Sequence, residues 1–316
     1  MFQNIADNKL MTARSVMIAG AGGGYDIVCG IPIAVALWNR GVKVHLASFS
    51  STPLRDVENA TWQRDTLLEI TVTSSRPSYF PEGWLARWVR ESLGREISVW
   101  CFEASGVGPL VENYEWLVGE LEIDAIVIVD GGVDSLLRGD EFTLASPMED
   151  ALTLAAVSLL DVPMKALVST AFGAERLDRI SHAQALARMS DLIRAGGFWG
   201  TEAVAPGIPE GDALASCIAY ILENQSGMHQ SVVCGSLLAA LQGKFGDQPV
   251  STTTQNTPPW ISPLMLLYWW FDLDEVARQN LYLSRLLPTR TFNEAVDRLG
   301  EFMKTRPKRG WEEIPI

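Results

Sequence analysis

Short apolar runs alternate with segments of helical periodicity through the first half of the chain. Five runs have the length and composition of strands, at 15–19, 42–48, 97–102, 125–129 and 164–169. The segments between most of them favour helices, over about 25–40, 81–93, 107–121 and 147–160. Residues 51–80 are polar and show no regular pattern. The alternation predicts a Rossmann-like, doubly wound α/β fold with a mainly parallel sheet.

The pattern changes after residue 170, where helical spacing prevails. Helices are predicted at about 181–195, 211–224, 229–243, 272–286 and 291–304. Ser146, Asp272 and Thr291 each precede a glutamate by three positions, which predicts capping boxes at three helix starts. We predict a Rossmann-like domain over 1–245 and a helical C-terminal extension over 246–316 that packs on it.

Four glycines lie where the first predicted strand meets the first predicted helix: Gly20, Gly22, Gly23 and Gly24. Glycine lets a ligand approach the backbone closely, and the free N–H groups at the start of a helix favour an anion. We favour a helix start at about Tyr25 over a later one at Pro32. The glycines predict a binding site for a phosphorylated or otherwise anionic small molecule, or else only a tight turn.

The glycine loop lacks two features of nucleotide-binding loops. Tyr25 occupies the third glycine position of the dinucleotide fingerprint, and the G-K-[ST] ending of a P-loop is absent. The second predicted strand ends in LASFSS, without the acidic residue that holds the ribose of NAD. NAD is therefore disfavoured as a cofactor.

A loop rich in carboxylates directly follows the apolar strand AIVIV, at the end of a parallel strand where ligands commonly bind. Its acidic residues are candidate ligands for Mg²⁺ or Ca²⁺, which prefer oxygen donors: Asp130, Asp134, Asp140 and Glu141. Its further candidates for ligand binding are Gly131, Gly132, Ser135 and Arg138. Arg138 could instead pair with a carboxylate, and the whole loop could be a solvated turn.

Asp26, directly after the glycines, has two interpretations. It could cap the helix that follows, or it could join Asp130 and Asp134, since strands one and four often neighbour each other in this topology. We take Asp26 and Asp134 as candidates for the general base. His229, near a predicted helix start, is a further candidate for ligand binding.

Composition restricts the class of partner. The 316 residues are 47% hydrophobic and 20% charged, so we expect a sizeable core. The net charge of −13 disfavours nucleic acid, because proteins that bind nucleic acid usually carry a basic face. The basic residues near the C-terminus are interpreted as a solvated tail: Lys304, Arg306, Lys308 and Arg309.

Cysteine usage and hydropathy favour a cytoplasmic protein. The four cysteines are scattered without zinc-ligand spacing, which fits small buried residues in a reducing compartment. No signal peptide is evident, and the longest apolar stretch, around 261–271, is too short for a bilayer. We therefore expect no membrane partner. Eleven tryptophans favour core packing and, second, a subunit interface, so we expect a homo-oligomer.

Three segments, in this order and spacing, carry a resemblance to a known family: VMIAGAGGGYDIVCGIPIAVAL, IVIVDGGVDSLLRGDE and SPMEDALTLAAV. They resemble the family catalogued as domain of unknown function 1152, over most of the chain up to about residue 245. The resemblance implies a Rossmann-like fold and no particular substrate. It marks as signature positions Gly22, Gly23, Gly24, Asp26, Asp130, Asp134, Arg138, Gly139, Asp140 and Glu141.

These observations predict an enzyme that binds a phosphorylated or nucleotide-like metabolite. A divalent cation on the acidic loop would assist hydrolysis or group transfer. A non-catalytic nucleotide or metabolite sensor is the alternative. A nucleoside-type glycosidic hydrolase is a further one, because the D-x-x-x-D spacing faintly resembles the calcium site of nucleoside hydrolases.

Overall fold

The structure, a computed structural model, describes residues 5–75, 78–225 and 230–315, and only the backbone of Arg176 and Leu177. Its strands are β1 (Ser15–Gly23), β2 (Lys43–Phe49), β3 (Thr61–Arg64), β4 (Leu67–Ile70), β5 (Val99–Phe102), β6 (Ala125–Asp130), β7 (Met164–Ser169), β8 (Phe198–Ala203), β9 (Gly246–Asp247), β10 (Trp260–Ile261) and β11 (Leu267–Asp272).

Twelve α-helices are present in the described part of the chain. They are α1 (Ile5–Leu10), α2 (Asp26–Cys29), α3 (Ile31–Asn39), α4 (Pro81–Leu93), α5 (Val107–Glu120), α6 (Met148–Ser158), α7 (His182–Arg194), α8 (Pro209–Asn224), α9 (Val232–Leu241), α10 (Leu273–Gln279), α11 (Leu283–Leu286) and α12 (Phe292–Thr305). None of the described helices is long and apolar enough to cross a membrane.

Nine strands form one sheet in the order β3-β4-β5-β2-β1-β6-β7-β11-β8. The five strands predicted from the sequence, β5-β2-β1-β6-β7, form its parallel centre. Apolar side chains pack against both faces of the sheet in two separate clusters. The predicted Rossmann-like α/β fold is confirmed, and β1 lies beside β6 as the predicted topology requires.

Four strands of this sheet were not predicted, and all of them pair antiparallel. β3 and β4 form a hairpin within 51–80, where the sequence shows no regular pattern. β11 pairs with both β7 and β8, so residues 267–272 complete the sheet. The segment 246–316 was predicted to be helical, but it also contains strands. Its aromatic run LYWWFD lacks strict alternation because both faces of β11 are covered.

Helix starts follow the sequence in part. Thr291 and Glu294 form the predicted capping box, and the side chain of Asp272 accepts a hydrogen bond from the N–H of Glu275. The capping box predicted at Ser146 is absent, because Pro147 takes the N-cap position. Both proposed starts of the first helix are used: α2 begins at Asp26, and α3 begins afresh with Pro32 in its first turn.

Candidate functional site

The parallel pairing of β1 and β6 brings the glycines and the acidic loop to one edge of the sheet. Gly20 pairs with Val129 in this register, so Gly22 and Asp130 both lie just beyond the paired residues. α2 begins here with Asp26. Strand order reverses between β1 and β6, and such switch points are where ligands bind in open α/β sheets.

Three carboxylates from different elements converge at this edge. Asp26, Asp130 and Asp150 each place one carboxylate oxygen within 4.8 Å of the others, a spacing that suits a hard divalent cation. Asp150 comes from the first turn of α6, which packs against β1. Its Oδ1 is buried and has no hydrogen-bond partner among the residues that the structure describes. An unsatisfied buried carboxylate oxygen is costly, and a cation is one way to satisfy it.

Backbone N–H groups fix the orientation of the first two carboxylates. Asp26 accepts hydrogen bonds from the N–H of Gly22 at 2.8 Å and from that of Gly131 at 3.2 Å, which ties β1 to the acidic loop. Asp130 accepts bonds from the N–H of Ser135 at 3.2 Å and from its hydroxyl. Three of the residues predicted to bind a ligand therefore orient carboxylates of the site instead: Gly22, Gly131 and Ser135.

Close approach of carboxylates explains why two of these positions are glycine. A Cβ atom at Gly22 would lie 3.0 Å from both oxygens of Asp150 and from Oδ2 of Asp26. A Cβ atom at Gly131 would lie 2.8 Å from Oδ1 of Asp26. The contacts at Gly22 are tighter than most real Cβ contacts, and the contact at Gly131 is shorter than real Cβ atoms show, so a side chain at either position would press on the carboxylates.

A second pair of carboxyl groups adjoins the first three. Glu175, from the 3₁₀ turn Ala174–Asp178 after β7, accepts a hydrogen bond from the N–H of Val133 at 2.7 Å. Its carboxyl group also hydrogen bonds with that of Asp134, which requires a proton on one of them. Gly132 is needed here too, since a Cβ atom would overlap the Glu175 carboxylate.

Burial and mutual repulsion raise the pKa of all five carboxyl groups. Burial is the largest of the causes that raise the pKa of Asp26 to about 7. The charge of Asp134 adds to its effect, and the hydrogen bond from the Gly22 N–H opposes it. Burial is also the largest cause that raises the pKa of the other four, and for Asp130, Asp150 and Glu175 the charge of Asp134 adds to it. The described side chains form no ion pair with this acidic cluster (Asp26, Asp130, Asp134, Asp150 and Glu175). It therefore needs protons or a metal ion.

The end of the acidic loop has a different environment. The Oδ1 atom of Asp140 lies 3.6 Å from Nε of Arg138 and 3.7 Å from Nε of Arg309. Glu141 accepts hydrogen bonds from the N–H groups of Arg138 at 3.0 Å and Gly139 at 2.9 Å. The predicted metal ligands are thus divided: Asp130 and Asp134 lie in the acidic cluster, whereas Asp140 and Glu141 engage arginine and backbone groups.

The basic residues near the C-terminus hold this end of the loop in place. The guanidinium of Arg306 donates to the carbonyl oxygens of Gly139 at 3.1 Å and Glu141 at 2.6 Å. The backbone N–H of Arg309 donates to the carbonyl of Asp140 at 2.8 Å. The interpretation of this segment as a solvated tail is therefore wrong for Arg306 and Arg309.

The other three glycines of the first loop have close neighbours outside the acidic cluster. Gly24 has φ +66°, which favours glycine, and a Cβ atom there would overlap the hydroxyl of Tyr79. At Gly20 a Cβ atom would lie 3.0 Å from the backbone nitrogen of Ile27, and at Gly23 it would meet the hydroxyl of Ser51. His229 lies outside the described residues.

Sequence reasoning missed Asp150 and Glu175 as site residues. Asp150 lies within SPMED, a segment that predicts a helix start. Its position in the first turn of that helix was the only feature of the sequence that pointed to the site. Glu175 carries no local signal, because it reaches Val133 and Asp134 only through the fold.

The sequence of the chain matches one known protein family. A family described as "Protein of unknown function (DUF1152)" matches residues 17–305. The chain belongs to this family. The matched range includes all five residues of the acidic cluster and confirms the resemblance noted in the sequence. Neither the curated proteins nor the solved structures contain a match to the chain.

Proposed function

We propose that this DUF1152 protein is a divalent-metal-dependent enzyme that acts on an anionic small molecule by hydrolysis or group transfer. The supporting observation is the convergence of Asp26, Asp130 and Asp150, with the buried Oδ1 of Asp150 lacking any other partner. Three carboxylate ligands suit Mg²⁺, Mn²⁺ or Ca²⁺ and leave positions for water and substrate. An enzyme of this kind fits a site at the switch point of the sheet.

The ion, when bound, supplies positive charge for a phosphate or similar group and a more acidic water molecule. Asp26, Asp130 and Asp150 would hold it, and the N–H groups of Gly22 and Gly131 keep Asp26 aligned. The Gly22 N–H is therefore engaged, so the anion is recognised through the cation instead of the glycine loop. Asp134 accepts the proton removed from the attacking group, and Glu175 holds the proton shared with it.

A non-catalytic sensor is the second candidate function, and burial supports it. Asp130 is only 2% exposed, and Asp134 and Asp150 are each 6% exposed. A site this enclosed could bind the ion and report its occupancy through α2 and α6 without admitting a substrate.

One experiment separates the two candidates from each other and from no site at all. Mn²⁺ binding to the purified full chain is measured by electron paramagnetic resonance, and product formation is followed with nucleotides, nucleosides and sugar phosphates. We expect binding and turnover in the wild type, and neither in Asp150→Asn. Asp191→Asn, on the exposed face of α7, is the matched control and should behave as the wild type.

The outcomes have distinct meanings. Binding of Mn²⁺ without turnover on any of these compounds favours the sensor. Equal Mn²⁺ affinity in the wild type and Asp150→Asn would contradict the proposed metal site itself.

A further inference from the structure

A cavity lies beside the segment that directly follows the 3₁₀ turn Ala174–Asp178. It has a volume of about 820 Å³ and is lined by Arg179, His182 and Asp247, by two tryptophans, and by the C-terminal segment 311–314. The 3₁₀ turn Ala174–Asp178 connects it to the cluster, because Glu175 bonds to Val133 while Arg179 follows the turn directly. The volume is sufficient for a nucleotide-sized ligand.

The two tryptophans of this cavity are unusually exposed for their size. Trp260 is 40% exposed and Trp311 is 47% exposed. Each is braced on one side by a phenylalanine: Trp260 by Phe245, with ring centroids 5.1 Å apart, and Trp311 by Phe142 at 5.5 Å. Indole rings held in this way offer open surfaces to a planar ligand, and base–indole stacking is a common source of affinity for nucleobases.

Polar groups around the tryptophans suit the rest of a nucleotide. Arg179 is exposed and forms no ion pair among the described residues, and its guanidinium lies 5.5 Å from the ring of Phe142. Its φ of +59° is rare for a residue with a side chain, and such strain concentrates at functional positions. A guanidinium pairs readily with phosphate.

We propose that this cavity binds the base of a purine nucleoside phosphate, with the base on Trp260 and Trp311 and the phosphate toward Arg179 and the acidic cluster. Phe142, which braces Trp311, follows Glu141 directly in the acidic loop, so the cavity and the cluster share one loop. This inference rests on the proposed function for the role of the phosphate. The binding of the base itself does not depend on a metal ion.

The test is calorimetric titration of the full chain with AMP, adenosine and ribose 5-phosphate, each with EDTA and with Mn²⁺. We expect adenosine and AMP to bind at least about tenfold more tightly than ribose 5-phosphate. Trp260→Ala and Trp311→Ala should each weaken adenosine binding about tenfold, and Trp311→Phe should recover most of it. Trp62→Ala is the control, since Trp62 stacks on Arg55 at the far edge of the sheet and should leave binding unchanged.

The outcomes distinguish this inference from the proposed function. Binding of adenosine without any binding of Mn²⁺ supports the cavity and removes the metal site. Binding of Mn²⁺ with equal affinity for AMP and ribose 5-phosphate overturns the cavity alone. Self-association that is lost in Trp311→Ala, without adenosine binding, also overturns it, because the tryptophans would then form an interface between copies of the chain.

Discussion

The two ends of the acidic loop carry the same chemistry in opposite surroundings. Asp130 and Asp134 lie in a cluster without a described cation, and burial raises their pKa. Asp140 and Glu141, six or more residues later, lie against arginine side chains and backbone N–H groups. The density of carboxylates is thus similar at both ends. What distinguishes a candidate metal site from a structural turn is the absence of a protein counter-charge.

The largest expected effect contrasts one residue from each end of the loop. Asp130→Asn should weaken Mn²⁺ binding at least about 100-fold, because it removes a charged ligand. Asp140→Asn should change the affinity less than about threefold, since Asp140 interacts with Arg138 and Arg309. Electron paramagnetic resonance measures both. Equal losses in the two variants would show that the loop acts as a whole and would remove the distinction.

Gly22→Ala should disturb the acidic cluster without changing any charge. Its Cβ atom would press on Asp26 and Asp150 at 3.0 Å, so we expect a loss of about 1–3 kcal/mol in the free energy of unfolding and a weaker Mn²⁺ site. Gly119→Ala, in α5 with no atom within 4 Å, is the matched control and should gain up to about 1 kcal/mol. Denaturant titration checks both, and a stabilised Gly22→Ala protein would contradict the packing argument.

The stability of the metal-free protein should fall as the pH rises. A carboxyl group whose pKa is raised by folding keeps its proton where the unfolded chain has lost it. For Asp26 this stabilisation is complete below the ordinary pKa of an aspartate, 3.8, and is lost as the pH rises to about 7, the pKa of Asp26 in the folded protein. We expect the melting temperature with EDTA to drop by several degrees between pH 6 and pH 8.

Metal addition and one substitution test the origin of this pH dependence. Mn²⁺ at pH 8 should restore the melting temperature, because the ion takes the place of the protons. Asp26→Asn should flatten the dependence in the metal-free protein. A melting temperature that rises from pH 6 to pH 8 in the metal-free wild type would refute this account.

The smallest effect on stability is expected at the end of the acidic loop that lies against arginine side chains. Arg309→Ala removes a side chain that is 34% exposed and lies 3.8 Å from Glu141. The two N–H bonds to Glu141 remain, so we expect a loss of about 1 kcal/mol that diminishes at high salt. Thermal melts at two salt concentrations measure it. Any change in Mn²⁺ affinity beyond about twofold would show that the two ends of the loop are coupled.

The sequence predicted the parallel centre of the sheet but not its antiparallel strands. Strands β1, β6 and β7 consist mainly of apolar residues, and this local pattern is enough to predict them as strands. β8 ends in the exposed run 201–203, and β11 has apolar residues on both faces, so neither follows the alternation expected of an antiparallel strand. Their pairing with each other is a long-range contact that local pattern does not carry.

The sequence by itself determined the fold class, and it offered the proximity of Asp26 to the start of the acidic loop as one of two interpretations. Both follow from local periodicity, since alternating strands and helices form a parallel sheet whose first and fourth strands are neighbours. Only the tertiary structure decided which carboxylates share a site. Asp150 and Glu175 enter the acidic cluster, and Arg309 lies against Asp140 and Glu141, through contacts between residues far apart in the chain. Such long-range contacts cannot be inferred from the charges of the residues or from their spacing along the sequence.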